Sequence, residues 1–121
     1  MIEKEFLVTE EDTALAVGSG GLPVLATPRL AAMVEAVCFE ALESRIASGK
    51  TTVGTQVTIE HRAASGIGAT VQVCCEEISN EKTYEFTFRV YENDQLLATG
   101  THHRAAVDIE GFLKKVSEKE S

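Results

Sequence analysis

Apolar positions change their period along this chain. Leu30, Val34, Val37, Cys38, Ala41 and Leu42 recur at three and four residues, the spacing of one helix face. After them the period is two. Val53, Thr55, Val57, Ile59 and His61 share one face of a strand, with Gly54, Gln56, Thr58 and Glu60 on the other. Ala69, Val71, Val73 and Cys75 alternate next, then Tyr84, Phe86, Phe88 and Val90, and Leu96 to Val107 makes a last strand. The pattern predicts one long helix followed by a four-strand antiparallel meander.

Turn chemistry supports these bounds. Thr27-Pro28 marks the helix start, with threonine as N-cap and proline in the first turn. Ser48-Gly49-Lys50 ends the helix, with glycine as its cap. Gly66-Ile67-Gly68, Asn80-Glu81-Lys82 and Glu92-Asn93-Asp94 read as strand connections. Residues 2–8 form a short first strand. Gly18-Ser19-Gly20-Gly21 reads as a mobile loop. The tail from Asp108 reads as a short charged helix frayed from Ser117 to Ser121. The sheet must curl its apolar face around the helix, an α+β arrangement in one domain spanning 1–121.

Composition narrows the function. Hydrophobic residues are 44% and charged residues 25% of the 121, an ordinary balance for a globular domain. No apolar run reaches the ~20 residues of a membrane span, and the first residues lack a signal-peptide layout, so a cytoplasmic protein is expected. The net charge is −8, which repels phosphate backbones and argues against nucleic acid. Cys74 and Cys75 are strand neighbours pointing to opposite faces. With Cys38 they read as reduced thiols, mostly buried, and not as a metal or disulfide set. His102 and His103 likewise diverge, which removes a metal site built from both.

Three polar residues fall where chemistry is possible. Glu35 shares a helix side with apolar neighbours, and a carboxylate in such surroundings has its pKa raised, as a base or nucleophile needs. Taken alone, a glutamate at the stripe's edge reaching water explains the position as well. His61 is in phase with Val57 and Ile59. Alone it reads as a buried structural histidine; together with a carboxylate on the helix under the same sheet it reads as half of a proton-transfer pair. Thr27 has a plain role as the helix cap. Regular helix geometry puts Thr27 and Glu35 ~12 Å apart. Either a substrate spans them, or the helix begins later and the loop folds back.

Val24-Leu25-Ala26-Thr27, Glu35, Thr52-Val53-Gly54-Thr55 through Glu60-His61-Arg62-Ala63-Ala64, and Gly100-Thr101-His102-His103-Arg104-Ala105 resemble the fluoroacetyl-CoA thioesterase family. The resemblance runs from about Val24 to Lys115. It implies the hotdog fold, a homodimer with active sites at the subunit interface, and a threonine–glutamate–histidine site on Thr27, Glu35 and His61. It places Gly54 where the acyl-thioester approaches the backbone and Arg104 near the ligand. The fluoroacetate-specific enzyme carries a phenylalanine gate before its Ala-Thr pair. Here that segment is Gly18-Ser19-Gly20-Gly21-Leu22, which argues for a different acyl group.

The expected reaction is hydrolysis of a small acyl-CoA or related thioester. Thr27 positions the reacting groups, Glu35 acts as general base or nucleophile, and His61 moves protons. No cofactor or metal is expected, since coenzyme A arrives with the substrate. Arg62, Arg104, Lys114 and Lys115 are candidates for its phosphates. The alternative is a non-catalytic hotdog dimer that binds a small acyl or aromatic ligand. A dehydratase ranks last, because no Asp plus His pair lies close together on one element.

Overall fold

The computed structural model describes residues 1–120. In chain order its elements are β1 (Ile2–Leu7), a 3-10 turn (Glu10–Asp12), α1 (Ala14–Val17), α2 (Thr27–Glu43), β2 (Lys50–His61), β3 (Thr70–Ser79), β4 (Tyr84–Glu92), β5 (Gln95–Asp108) and α3 (Ile109–Glu120). All strand pairings are antiparallel, and α2 lies in the hollow of the curled sheet. Leu30, Met33, Val34, Val37, Cys38 and Leu42 of α2 bury against Val71, Val73, Cys75, Phe86, Phe88, Val90 and Leu97. Each fully buried side chain of this kind contributes roughly 1.5–3 kcal/mol. Cys38 and Cys75 meet in this core. Their contact and the burial push the Cys38 thiol far up, so it stays protonated. Cys74 points the other way, 3.8 Å from Glu3 Oε1.

The helix starts differently from the sequence expectation. Ala26, not Thr27, is the N-cap, and Thr27 is the first helical residue with no capping role for its hydroxyl. The start is held instead by Asp12, whose backbone carbonyl accepts from Ala26 N–H at 2.9 Å. Its carboxylate accepts from Thr9 N–H, Thr9 Oγ1 and Arg29 Nε, each at 2.9 Å. Burial pushes the Asp12 carboxyl up, but the Thr9 bonds and Arg29 outweigh it and hold the group below the usual carboxylate range. Asp12→Asn is expected to cost about 1–3 kcal/mol in chemical denaturation at pH 7. Because the folded pKa is depressed, this contribution is complete above about pH 4 and is lost as pH falls through the folded value. The mutant should therefore show a flatter acid limb of stability.

The helix ends at Glu43 with Ser44 as its cap, earlier than expected, and Gly49 (φ 85°) instead turns the chain into β2. α3 stays helical through Glu120, where fraying from Ser117 was expected; Ser121 lies outside the described residues.

Strand order is β1-β3-β4-β5-β2, which corrects the expected meander. Only β3, β4 and β5 run consecutively; β2 pairs with β5 and is an edge. Residues 62–69 form a long connection, with Ser65 O accepting from Leu25 N–H at 2.8 Å, and not a tight hairpin. Alternation fixes which residues face inward, but not which strand lies alongside. β2 also breaks its own alternation. A bulge between Gly54 and Gln56 inserts Thr55, so Gly54 lies opposite Arg104 while Val57, Ile59 and His61 lie opposite His102, Gly100 and Ala98. Gly54 therefore shares the helix-facing side with His61, contrary to the assignment from period two. Val53 and Thr55 leave that side.

Candidate active site

Thr27 and His61 form the first cluster. Released from capping, the Thr27 hydroxyl sits 2.8 Å from His61 Nδ1. The other ring nitrogen, Nε2, is buried and has no hydrogen-bond partner among the described residues. Burial lowers the His61 pKa, with the nearby Ala63 backbone acting in the opposite direction, so the ring is neutral at pH 7. A cavity of about 290 Å³ opens beside the pair, lined by Ala14, Ser19, Ala26, Ala63 and Ala64 among others. Its lining includes no Phe, Tyr or Trp.

Glu35 belongs to a second cluster. Its Oε2 is 3.9 Å from Arg104 Nη1, and its side chain is 43% exposed. The apolar setting expected for this carboxylate is thus replaced by a guanidinium on one side and solvent on the other. Gly54 leaves room between these groups. A Cβ there would lie 2.6 Å from Glu35 Oε2, 3.2 Å from His102 Cε1 and 3.4 Å from Arg104 Nη1.

Arg104 is only 6% exposed and is held from several directions. Its Nε donates to Thr52 Oγ1 and its Nη2 to the Thr52 carbonyl, both at 2.9 Å. Its charge also lies 5.5 Å from the centre of the Phe39 ring. Burial lowers its pKa and Glu35 opposes that, so the guanidinium remains charged. Among the described residues, no group of three or more His, Cys, Asp or Glu side chains is placed to hold a metal ion, and no helix is long and apolar enough to cross a membrane.

Known proteins match the chain in sequence and fold. The fluoroacetyl-CoA-specific thioesterase family matches residues 8–110. The chain belongs to that family. It is 33% identical over 98 residues to the fluoroacetyl-CoA thioesterase of Streptantibioticus cattleyicolor, covering 79% of this chain and 70% of the relative. A point mutant of the fluoroacetyl-CoA-specific thioesterase FlK, solved with fluoroacetate and CoA, superimposes with a TM-score of 0.94 at 25% identity, over 100% of both chains. A thioesterase superfamily member from Thermus thermophilus shares the fold, with a TM-score of 0.85 at 20% identity over 98% of this chain and 90% of its own.

Within this hotdog family frame, Thr27 and His61 meet directly, as do Glu35, Gly54 and Arg104. Glu35's ion pair is with Arg104 and not with His61. Thr52, His102 and the bulge at Gly54 escaped the sequence reading. His102 had a legible signal: Ala98, Gly100, His102 and Arg104 alternate on β5, and two of them are ionisable. Weighing His102 only against its neighbour His103 concealed it. In the structure His103 faces away, 3.3 Å from Glu85.

Proposed function

We propose that this protein hydrolyses a small acyl-CoA thioester at sites completed by a second copy of the chain. The observation that carries the reading is the Thr27–His61 pair beside the cavity of about 290 Å³. The names of its relatives, fluoroacetyl-CoA thioesterases, supply the reaction class.

The geometry supports a second copy. Glu35 lies ~12 Å along α2 from Thr27, beyond any direct bond to the Thr27–His61 pair. Gly54 and His61 mark the two clusters along β2, which with β1 is one of the two edges of the sheet. An edge strand normally carries charges or a proline that block pairing. From Thr51 to Ile59 β2 has neither, and Val57 is 38% exposed. Two such edges paired antiparallel about a twofold axis near Val57–Thr58 bring Gly54 of one copy opposite His61 of the other. Glu35 of one copy then faces the Thr27–His61 pair of the second. The apolar residues Ile109, Phe112, Leu113 and Val116 of α3, all exposed in one protomer, also suit an assembly.

In this site Thr27 donates its hydroxyl proton to His61 Nδ1, so Nε2 carries the ring proton. Nε2–H then donates to the thioester carbonyl oxygen and stabilises the oxyanion. Glu35 removes a proton from the attacking water, or attacks the carbonyl carbon itself to form an anhydride. In the first route the carbon–sulfur bond breaks as Glu35 returns the water's proton to the departing sulfur. In the second the sulfur leaves as thiolate, and water then cleaves the anhydride, freeing the acid and Glu35 and supplying the proton that the thiolate takes up. Mass spectrometry of rapidly quenched protein separates the two routes, since only the anhydride attaches the acyl group covalently to Glu35. Arg104, buried beside Gly54, belongs to the acyl end. The exposed Arg62, Lys114 and Lys115 suit the phosphates. The Arg62–Glu60 pair at 2.9 Å is solvent-exposed and yields at little cost.

The test is free-thiol release from a panel of acyl-CoAs that includes acetyl-, fluoroacetyl- and longer acyl chains. A cavity without Phe, Tyr or Trp predicts that fluoroacetyl-CoA is not singled out. Thermal protection by an acyl-CoA with no thiol release from any member would make the protein a binding module instead.

A further inference from the structure

We propose that His102 is a positioning residue that aims Arg104 at Glu35, and that protonation of its ring releases that aim and switches the site off in acid. The inference rests on the thioesterase reading for its kinetic arm, but the geometry stands by itself.

The hydrogen bonds fix the tautomer. His102 is 1% exposed, with Nδ1 2.9 Å from the Gln56 carbonyl and Nε2 3.2 Å from Arg104 Nη1. A carbonyl oxygen only accepts and a guanidinium only donates. Nδ1 must therefore carry the proton and Nε2 must accept from Arg104. This neutral ring links two features of the site. Nδ1–H ties down the Gln56 carbonyl at the bulge that turns Gly54 inward, and Nε2 supplies one of the three bonds that orient the guanidinium. Thr52 supplies the other two. The same Nη1 that donates to His102 is the one 3.9 Å from Glu35 Oε2.

Protonation reverses the contact. A second ring N–H would point at the Arg104 N–H, placing two cations 3.2 Å apart in a dry setting. The surroundings decide when this occurs. Burial lowers the His102 pKa, and Arg104 and His103 from its own strand add to this. The Gln56 carbonyl of β2 and Glu35 of α2 act in the opposite direction. Its cross-strand neighbours, Val57 on β2 and Phe86 on β4, are apolar. The ring is thus neutral at pH 7 and gains its proton only below the ordinary imidazole range.

His102→Gln and His102→Ala test the inference. A glutamine amide oxygen can occupy the place of Nε2 and accept from Arg104, but it does not titrate. His102→Gln should keep kcat within about threefold of wild type at neutral pH and change the acid limb of the pH profile, which loses the contribution of residue 102; His102→Ala should lower kcat about tenfold or more with KM little changed. Unaltered kcat in a folded His102→Ala, or a wild-type acid limb in His102→Gln, would overturn the proposal. Nitrogen-15 NMR of the wild-type protein provides a readout that needs no turnover. It should show the Nδ1–H tautomer, and the Arg104 Nε resonance should shift as His102 titrates. If that coupling is present while no acyl-CoA is cleaved, the thioesterase reading fails and the positioning role survives. An Nε2–H tautomer in an active enzyme ends the positioning role alone.

Discussion

Mixed dimers of a Glu35→Gln chain and a His61→Ala chain are expected to regain about a quarter of wild-type turnover, although each parent dimer is inactive. The arithmetic follows from the shared site proposed above. Random mixing makes half of the dimers hybrid. In each hybrid one site takes an intact Glu35 from one copy and an intact His61 from the other, while its second site lacks both. If the two residues acted within one protomer, every site would lack one of them and mixing would restore nothing. Each parent should lose about 10³-fold or more in kcat, the scale for removing a general base or an oxyanion donor. Glu35 is partly exposed and His61 borders an open cavity, so both parents should unfold within a few degrees of wild type. Free-thiol release after co-refolding, with the hybrid fraction measured by native mass spectrometry, reads the outcome. Full activity in either parent would remove the mechanism.

Gly54→Ala should reduce kcat/KM about 100-fold while leaving the fold intact. The added methyl carbon would lie 2.6 Å from Glu35 Oε2, closer than nonbonded atoms approach. Glu35 is a flexible side chain with a solvent-facing side, so it can swing away. The protein then folds, but the carboxylate leaves Arg104 and the place where a thioester carbon would sit. The backbone at Gly54 has no left-handed φ, so the cost is spatial and falls on the site. Circular dichroism and thermal unfolding should match wild type within about 1 kcal/mol. Retained turnover in Gly54→Ala would mean that Glu35 does not act from its place beside Gly54.

The spacing of apolar residues gave α2 and the inward faces of β3 and β4 closely. Leu30, Val34, Val37, Cys38 and Leu42 are buried as their helical spacing requires, and Phe86, Phe88 and Val90 as their alternation requires. His61 was correctly placed on the helix-facing side, and Glu35 on a side of α2 next to the sheet. Other readings failed where a local pattern was extended through an event it does not encode. The bulge at Thr55 inverts the faces of β2, so counting by two from Val53 put Gly54 on the wrong side. Thr27 is a good capping residue by type, but Asp12, distant in sequence, holds the helix start and frees the hydroxyl for His61.

The sequence by itself determined the long helix, the strands, the curling of the sheet around that helix and the candidates Glu35 and His61, because periodicity and turn chemistry act between near neighbours; Thr27 entered the site through the family resemblance. Only the tertiary structure decided that β2 is a free edge beside β5, that Thr27 bonds His61, and that Arg104 is gripped by Thr52 and His102 against Glu35. Strand order, a bulge and the tautomer of a buried ring are set by partners far along the chain. Their energies belong to contacts between segments, which no local pattern of residue types records.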